Sequence, residues 1–441
     1  MSANTEPTGS RAAPAGAGRR RIVVISAGMG AGHDGAADGL QRRLEERGFG
    51  VDRYDFLDML PAGLGRLLRG TYHQLLTWAP AGYRRIYAAT EQAPRPGAAV
   101  RALLRAAGRR AVRTVGADTA AVVSTYPGAS QVLGALRRSG ALRVPAVTYL
   151  TDFSVHALWV APGVDLHLAV HAIPGAEARA RGATAVTVAG PVVRPGFRPA
   201  APGERLAARR HFGLPEQAPL ALLVSGSWGV GAVERAAAEI RGSGAAVPVV
   251  VCGHNRALAA RLAAAGVGHV HGWVREMPEL MRACDVLVQN AGGLTSLEAF
   301  ASGLPVASYR CIPGHGRANA AALQEAGLAL WIRQAPELAA GLRDVLHGPL
   351  GARQRALGLE LFAPGRDPVA AVAAVAAVAE RAPAPAVPPA ARVRRRPRLA
   401  LAMAATAVVA GLGIGAPVVE AYADSPQSFG AITHLLEGDS K

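Results

Sequence analysis

The chain has 441 residues, a formal net charge of +17 and hydrophobic residues at 50% of its positions. This length is sufficient for two or three domains, and the composition excludes a disordered chain. Nearly all of the positive charge is arginine, since Lys441 is the single lysine. The arginines as a whole lack the interleaved stacking aromatics of proteins that bind bases, so we expect an anionic membrane surface and no nucleic acid as partner.

The three cysteines are Cys252, Cys284 and Cys311, and they form no C-x-x-C pair. This pattern excludes a disulfide framework and a zinc site, and it is typical of a reducing compartment. Residues 1–20 are polar and rich in Ala, Gly and Arg, and they lack the apolar centre of a secretory signal. We predict a disordered arm there.

Residues 21–197 predict a first domain. "RIVVIS" is a continuous β-branched run typical of a buried parallel strand, and "GAADGLQRRLEERG" predicts an amphipathic helix that ends at Gly48. Further strands are predicted at "VDRYDFLDML", "TAAVVSTYP", "RVPAVTYLTDF", "DLHLAV" and "AVTVAGPVV". Strands that alternate with helices indicate a doubly wound α/β domain.

The same pattern restarts after a Pro/Arg-rich stretch, residues 198–217, that we interpret as a linker. Residues 218–380 predict a second domain, with strand, glycine loop and helix in "PLALLVSGSWGVGAVERAAAEI" and further strands in "VPVVVCGHN", "CDVLVQNAGG" and "GLPVASYRCIPG". Ligands of such sheets bind at the carboxyl ends of the strands. We therefore expect two Rossmann-like domains that face a ligand cleft.

The C-terminal region begins with a second linker, residues 381–398, which ends in an arginine cluster. Leu399–Val419 then carries no charge, and its length of about 31 Å at ~1.5 Å per residue is enough to cross a bilayer core. The preceding arginines predict that its N-terminal side is cytoplasmic. The alternative is an alanine-rich buried helix. Residues 420–441 form a tail, and its "AYAD" is similar to a processing site.

The first glycine loop, "SAGMGAGHDGAA", joins the first strand to the first helix. Gly30 and Gly32 leave backbone N–H groups open at a helix N-terminus, where phosphates bind. His33 follows at once, and the helix dipole disfavours its charged form. A neutral imidazole can act as a general base on a hydroxyl. The alternative is a histidine that only caps the helix.

Two glycine-rich stretches in the second domain have the same local pattern. "SGSWGVGA" provides Gly226, Ser227 and Gly229, which suit a diphosphate or form a plain tight turn. "NAGGLTSLEA" begins a further helix. Glu298 in its early turns either accepts hydrogen bonds from ribose hydroxyls or is an ordinary glutamate that the helix dipole favours. "CIPGHGRAN" follows another strand and carries His315, Arg317 and Asn319 in a Gly/Pro loop.

These motifs together resemble one family. The resemblance covers residues 21–345 and includes the first loop, "TYHQLLTWAPAGYRRIYAAT", "YLTDFSVHALWVAPGVDLHLAV", "GPVVRPGF", the second loop and "NAGGLTSLEA…GLP…IPGHGRAN". The family is the GT-B glycosyltransferases that include monogalactosyldiacylglycerol synthases, processive diacylglycerol glucosyltransferases and the N-acetylglucosaminyltransferase of the peptidoglycan lipid precursor.

The resemblance implies a hexosyltransferase that transfers a hexose or N-acetylhexosamine from a UDP-sugar to a lipid such as diacylglycerol, with inversion and in glycolipid biosynthesis. It implies no metal and no cofactor besides the donor. The implied catalytic residues are His33, as the base, and Asp152, which with His156 and Trp159 matches a motif that lines the cleft. The implied donor-binding residues are Gly30, Gly32, Gly226, Ser227, Gly229, Gly292, Gly293, Thr295, Glu298, His315 and Asn319.

The chain departs from the family where a "PGQE"-type loop is replaced by "PGHGR", and Trp228 adds bulk to the second loop. Two alternatives to the transferase therefore stay open: a UDP-sugar epimerase of similar build, and an inactive, membrane-tethered nucleotide-sugar-binding protein.

We expect the protein at the cytoplasmic face of the cell membrane, with 399–419 as a single-pass anchor. Within 64–87, leucines and aromatics interleave with arginines, which indicates either a membrane-facing surface or a helix packed on the core. The sequence leaves the oligomeric state undetermined.

Overall fold

Two parallel sheets organise the chain. The structure is a computed structural model that describes residues 20–61, 63–92 and 98–381. Within these residues, twelve strands form two sheets of six strands each, in the orders β2-β1-β3-β4-β5-β6 and β12-β11-β10-β7-β8-β9. Neighbouring strands are parallel. The predicted α/β fold with two Rossmann-like domains is confirmed.

The first sheet and its helices precede residue 190. The strands are β1 (Arg21–Ser26), β2 (Gly50–Asp55), β3 (Thr119–Ser124), β4 (Ala146–Tyr149), β5 (Leu166–Ala169) and β6 (Val186–Val188). The helices are α1 (Ala31–Glu46), α2 (Leu64–Trp78), α3 (Pro80–Gln92), α4 (Ala98–Ala111), α5 (Pro127–Arg138) and α6 (Ala172–Ala180). β1 lies between β2 and β3, and its residues from Ile22 onwards are buried, which explains its unbroken apolar sequence.

The second sheet follows the same plan. Its strands are β7 (Leu220–Val224), β8 (Val247–Val251), β9 (His269–His271), β10 (Val286–Gln289), β11 (Val306–Tyr309) and β12 (Ala329–Ile332). The helices are α7 (Glu204–His211), α8 (Val233–Gly242), α9 (Arg256–Ala264), α10 (Met277–Ala283), α11 (Leu294–Ala301), α12 (His315–Glu325), α13 (Leu338–His347), α14 (Pro349–Glu360) and α15 (Pro368–Arg381).

The stretch 198–217, predicted as a linker, contains helix α7. Arg209 on this helix is 4% exposed and donates to Asp285 Oδ2 at 2.6 Å and to the Ala283 carbonyl at 2.9 Å. A buried arginine with these partners fastens the stretch to the second domain. The partners of Arg209 lie about 75 positions away in the chain. The local Pro/Arg composition therefore gave no indication that this stretch packs on the second domain.

Helix α15 returns to the first domain, although we predicted residues 218–380 as one unit. It packs against β3 and α1, and its Val369, Val372 and Ala376 are fully buried. The two stretches of chain that connect the domains touch at Gly190, where a Cβ would lie 2.8 Å from the Arg366 carbonyl oxygen.

No helix in the described ranges combines the length and apolar character needed to span a bilayer. The predicted segment Leu399–Val419 lies outside those ranges, as do the 420–441 tail and nearly all of the predicted N-terminal arm. The membrane anchor stays a prediction.

Candidate active site

His33 lies in the first turn of α1, directly after the first glycine loop. Gly30 begins this helix with φ 107°, a conformation that favours glycine. Nδ1 of His33 lies 2.8 Å from the Thr125 carbonyl oxygen and 3.2 Å from Thr151 Oγ1. The ring also makes an edge contact with Tyr126. The carboxyl ends of β3 and β4 therefore hold the imidazole.

The bond to Thr125 determines which nitrogen of His33 carries the proton. A carbonyl oxygen only accepts, so Nδ1 must donate, and the neutral ring then has its lone pair on Nε2. Burial lowers the pKa of His33, although Asp152 and the Thr125 carbonyl act in the opposite direction. The ring is therefore neutral near pH 7, with Nε2 able to accept a proton.

Asp152 carries a negative charge that acts on three histidines of the cleft. Its Oδ2 accepts a hydrogen bond from Trp159 Nε1 at 3.1 Å. Burial lowers the pKa values of His33, His315 and His156, and the negative charge of Asp152 opposes this in each case. The predicted pair, His33 and Asp152, is thus brought into one electrostatic environment.

The second glycine loop lies at the carboxyl end of β7, and its glycines have left-handed backbone. Gly226 has φ 70° and Gly229 has φ 59°. The Ser227 carbonyl accepts from the His254 N–H at 2.9 Å, which joins the loop to the end of β8. The ring of Trp228 contacts Tyr72 and His73 on α2 of the first domain.

The third loop begins α11 and contacts α1 across the cleft. A Cβ on Gly35 of α1 would lie 2.2 Å from Leu294 Cδ2, so the two helices approach closely where Gly292, Gly293 and Thr295 lie. Asn290 Nδ2 donates to the Val230 carbonyl at 2.8 Å, which joins the third loop to the second. The loops predicted to hold the donor are therefore adjacent.

Glu298 lies on α11 and is 5% exposed. Burial raises its pKa to about 7, while Arg194 of the first domain partly opposes the shift. Arg194 Nη2 lies 3.6 Å from Glu298 Oε1. A carboxyl group in this setting changes its charge near neutral pH.

His315 and Asn319 both lie on α12, but their environments differ. Nδ1 of His315 lies 2.8 Å from the hydroxyl of Tyr83 on α3 of the first domain. Asn319 is 1% exposed, with Oδ1 accepting from the Ser154 N–H at 2.9 Å and Nδ2 donating to the Ala291 carbonyl at 3.0 Å. Asn319 therefore joins the domains and has no exposed amide to offer a ligand.

Sequence reasoning missed Trp273, which follows β9. Its ring stacks on His254 with centroids 4.3 Å apart and is 50% exposed. His254 in turn is bonded to the second glycine loop. An exposed flat ring pair beside a phosphate-type loop is suited to stack a base. The tryptophan two residues after the end of a strand, in "HGWVREMPEL", was a signal in the sequence.

The stretch 64–87 packs against the second domain with some of its side chains and leaves others exposed. The packed interpretation applies to the first set, and the membrane-facing interpretation stays a prediction for the exposed residues. Tyr72, Leu75, Leu76, Tyr83 and Tyr87 pack with Val230, Ala291 and Ile312 of the second domain.

Leu67 and Trp78, in contrast, are 52% and 83% exposed, and Arg66, Arg84 and Arg85 are also exposed. These exposed residues form an apolar and basic surface of the type that binds lipid headgroups.

One group of described side chains has donor atoms close enough to share a metal ion. It consists of His211, Glu276 and Glu279, with the atoms within 4.8 Å of one another. His211 and Glu276 are exposed, and none of the three is among the predicted site residues.

Two family models match the chain, one in each domain. Residues 33–193 match the monogalactosyldiacylglycerol (MGDG) synthase family, and residues 226–347 match the family of glycosyl transferases group 1. These ranges contain His33, Asp152 and the predicted donor-binding residues from Gly226 to Asn319.

The curated relatives that match the chain include lipid glycosyltransferases. A processive diacylglycerol β-glucosyltransferase of Bacillus pumilus is 28% identical over 46% of this chain and 55% of its own length. A chloroplastic monogalactosyldiacylglycerol synthase of Spinacia oleracea is 27% identical over 73% of this chain and 65% of its own length. A probable enzyme of the latter kind from Glycine max is 30% identical over 49% of this chain and 44% of its own length. The match thus spans 44% to 65% of the length of these relatives.

Solved structures share the fold. UGT71G1 of Medicago truncatula, complexed with UDP-glucose, has a TM-score of 0.53 at 12% identity, over 82% of this chain and 98% of its own. TcCGT1 in complex with UDP gives the same score and identity, over 82% of this chain and 99% of its own. With both domains matched to glycosyltransferase families, the predicted resemblance to the monogalactosyldiacylglycerol synthases and processive diacylglycerol glucosyltransferases is confirmed.

Proposed function

We propose that this protein is an inverting hexosyltransferase that moves a sugar from a UDP-sugar to the hydroxyl of a membrane lipid such as diacylglycerol. The observation that carries the proposal is the state of His33: Nδ1–H is used by the Thr125 carbonyl, which leaves Nε2 as a base. This base lies on α1, which contacts α11 beside the predicted donor loops. The names of the relatives support the class of acceptor.

In the proposed reaction, the acceptor hydroxyl gives its proton to Nε2 of His33. The acceptor oxygen forms a bond to C1 of the sugar, and the C1–oxygen bond to the β-phosphate breaks with its electron pair leaving on UDP. Attack opposite the leaving group inverts C1. The negative charge of Asp152, which favours the protonated ring, stabilises the imidazolium that forms.

The donor is proposed to lie along the second and third loops. Backbone N–H groups of Gly226, Ser227, Gly292 and Gly293 are suited to the diphosphate. Glu298 would accept ribose hydroxyls in its ionised form, which its pKa of about 7 allows at neutral pH. The stacked pair of Trp273 and His254 would bind the uracil face. The proposal needs neither a metal nor a further cofactor, because amides and helix termini offset the charge of the leaving diphosphate.

The acceptor side is proposed to work at a membrane. Leu67 and Trp78 with Arg66, Arg84 and Arg85 would place α2 and α3 in an anionic headgroup layer. We propose the cytoplasmic face of the cell membrane as the location, with the segment 399–419 as a single-pass anchor.

The test is UDP release by the full chain with UDP-galactose, UDP-glucose or UDP-N-acetylglucosamine, with and without vesicles that contain diacylglycerol. We expect release that requires one donor and the lipid. His33→Ala should remove release and keep UDP binding, whereas His347→Ala, at the exposed end of α13, should change neither.

Release without any dependence on vesicles would favour epimerase-like chemistry. UDP binding without release from any donor would favour a binding protein. A fully active His33→Ala variant would show that the base is assigned wrongly.

A further inference from the structure

A tyrosine of the first domain lies on the loop of the second domain that carries His315. Tyr83, on α3, is 8% exposed, and its hydroxyl lies 2.8 Å from Nδ1 of His315. The rings form an edge contact with centroids 5.9 Å apart. The contact joins residues 232 positions apart in the chain and crosses the cleft between the domains.

The loop before His315 lies very close to the ring of Tyr83. Gly314 has φ 70°, and a Cβ there would lie 2.8 Å from the ring of Tyr87 and 3.1 Å from the ring of Tyr83. Only glycine lets the loop lie this close to α3. His315 begins α12 directly after it, so the ring of His315 has its position set by the backbone and its orientation set by one hydrogen bond.

With Nδ1 occupied, the described residues give His315 one nitrogen, Nε2, for a ligand. Asn319 on the same helix is buried, with both ends of its amide in hydrogen bonds to the backbone, so it does not compete for this role. The negative charge of Asp152 acts on His315 as it acts on His33, so the two imidazoles lie in the same part of the cleft. A donor group bound at Nε2 of His315 would therefore lie on the same side of the cleft as the candidate base, His33.

We propose that Tyr83 is a positioning residue that orients His315 so that Nε2 bonds a hydroxyl of the donor sugar, which makes the acceptor-facing domain part of sugar selection. This inference rests on the proposed function, because it takes a UDP-sugar as the ligand. His315 is the residue that bonds the sugar, and Tyr83, whose hydroxyl also has a hydrogen bond with Tyr72, acts on the sugar through His315. The pocket for the sugar is then complete only when the two domains are in contact.

The experiment compares the affinities of the full chain for UDP and for the UDP-sugar by calorimetry, in wild type, Tyr83→Phe, His315→Ala and the double variant. Tyr83→Phe retains the ring that packs on Gly314 and removes only the hydroxyl. We expect it to weaken binding of the UDP-sugar by about three- to ten-fold, the effect of one hydrogen bond, with UDP affinity unchanged. In the His315→Ala background the same change should have no further effect.

Tyr87→Phe is the matched control, since its ring covers the same glycine but its hydroxyl is not on His315. A Tyr83→Phe variant that binds both ligands as the wild type does would overturn the inference. So would equal weakening of UDP and UDP-sugar, or an undiminished effect without His315, since both indicate a structural role. Wild type that binds the UDP-sugar but releases no UDP with any acceptor would contradict the proposed function and leave this binding test intact.

Discussion

Ser154 and Asn319 are joined across the cleft by a hydrogen bond of 2.9 Å, from the backbone N–H of the first to Oδ1 of the second. The other end of the amide donates to the Ala291 carbonyl at 3.0 Å. One buried side chain thus connects the loop after Asp152, the third glycine loop and α12. With the close approach of Gly35 to Leu294, it helps to set the position of the candidate base relative to the donor loops.

We expect Asn319→Ala to lower the free energy of unfolding by about 1–3 kcal/mol, because the N–H of Ser154 and the carbonyl of Ala291, both half-buried residues, lose their partner. Urea denaturation measures this. Gln324→Ala is the control, since this residue lies on the exposed side of the same helix and accepts a single bond from the Trp331 N–H. Equal effects of the two changes would contradict the role assigned to Asn319.

Gly253→Ala should disrupt the second glycine loop. Gly253 has φ 61°, and a Cβ would lie 2.4 Å from the Ser227 carbonyl oxygen, so strain and a backbone clash combine. We expect loss of UDP binding in addition to the left-handed penalty of about 1–2 kcal/mol.

Gly244→Ala is the control for strain alone. Gly244 has φ 63°, and a Cβ there would meet no atom within 4 Å. It should reduce stability by a similar penalty and leave UDP binding intact. Calorimetric titration with UDP separates the two variants, and normal binding by Gly253→Ala would refute the prediction.

Two exposed tryptophans should have different functions. Trp273→Ala should weaken UDP binding by about 1–3 kcal/mol, the contribution of a base stacked on an aromatic ring. Trp78→Ala should leave UDP binding unchanged and weaken binding to anionic vesicles, because its ring is 83% exposed on the basic face of α2. Titration with UDP and co-sedimentation with vesicles measure both effects, and each variant is the control for the other. An exchange of the two phenotypes would overturn both assignments.

Stability should fall on mild acidification. Burial lowers the pKa of six described histidines below the ordinary 6.5, so below that pH the unfolded chain binds more protons than the folded one. They are His33, His156, His167, His171, His271 and His315. Glu177 and Glu298, with raised pKa values, act in the opposite direction over this range but are fewer.

We expect the urea midpoint to be lower at about pH 5.5 than at about pH 7.5. Measurement at low and high salt distinguishes protonation from general charge repulsion, which salt screens. A midpoint that is constant or rises on acidification would show that the carboxyl groups dominate.

The part of the site that could be predicted is the part that depends only on residues close together in the sequence. A β-branched strand, a glycine loop and a helix occur within about thirty residues, and this local pattern is enough to place Gly30, His33, Gly226 and Gly293 at strand ends.

What the sequence concealed depends on distant partners. Tyr83 acquires its role from His315, which is 232 positions away, and Thr125 determines the tautomer of His33 from 92 positions away. The packed and the exposed residues of α2 could not be separated from the sequence for the same reason, because periodicity does not tell which protein surface a helix face contacts.

The contact between Gly190 and Arg366 has a mechanical consequence. Two covalent connections cross between the domains, one on each side of this contact, because α15 returns to the first sheet. A body held by two adjacent tethers can rotate about the line through them, but it cannot slide or twist freely. We therefore expect any opening of the cleft to be a hinge motion whose axis passes close to Gly190, with the largest displacement at the far edge.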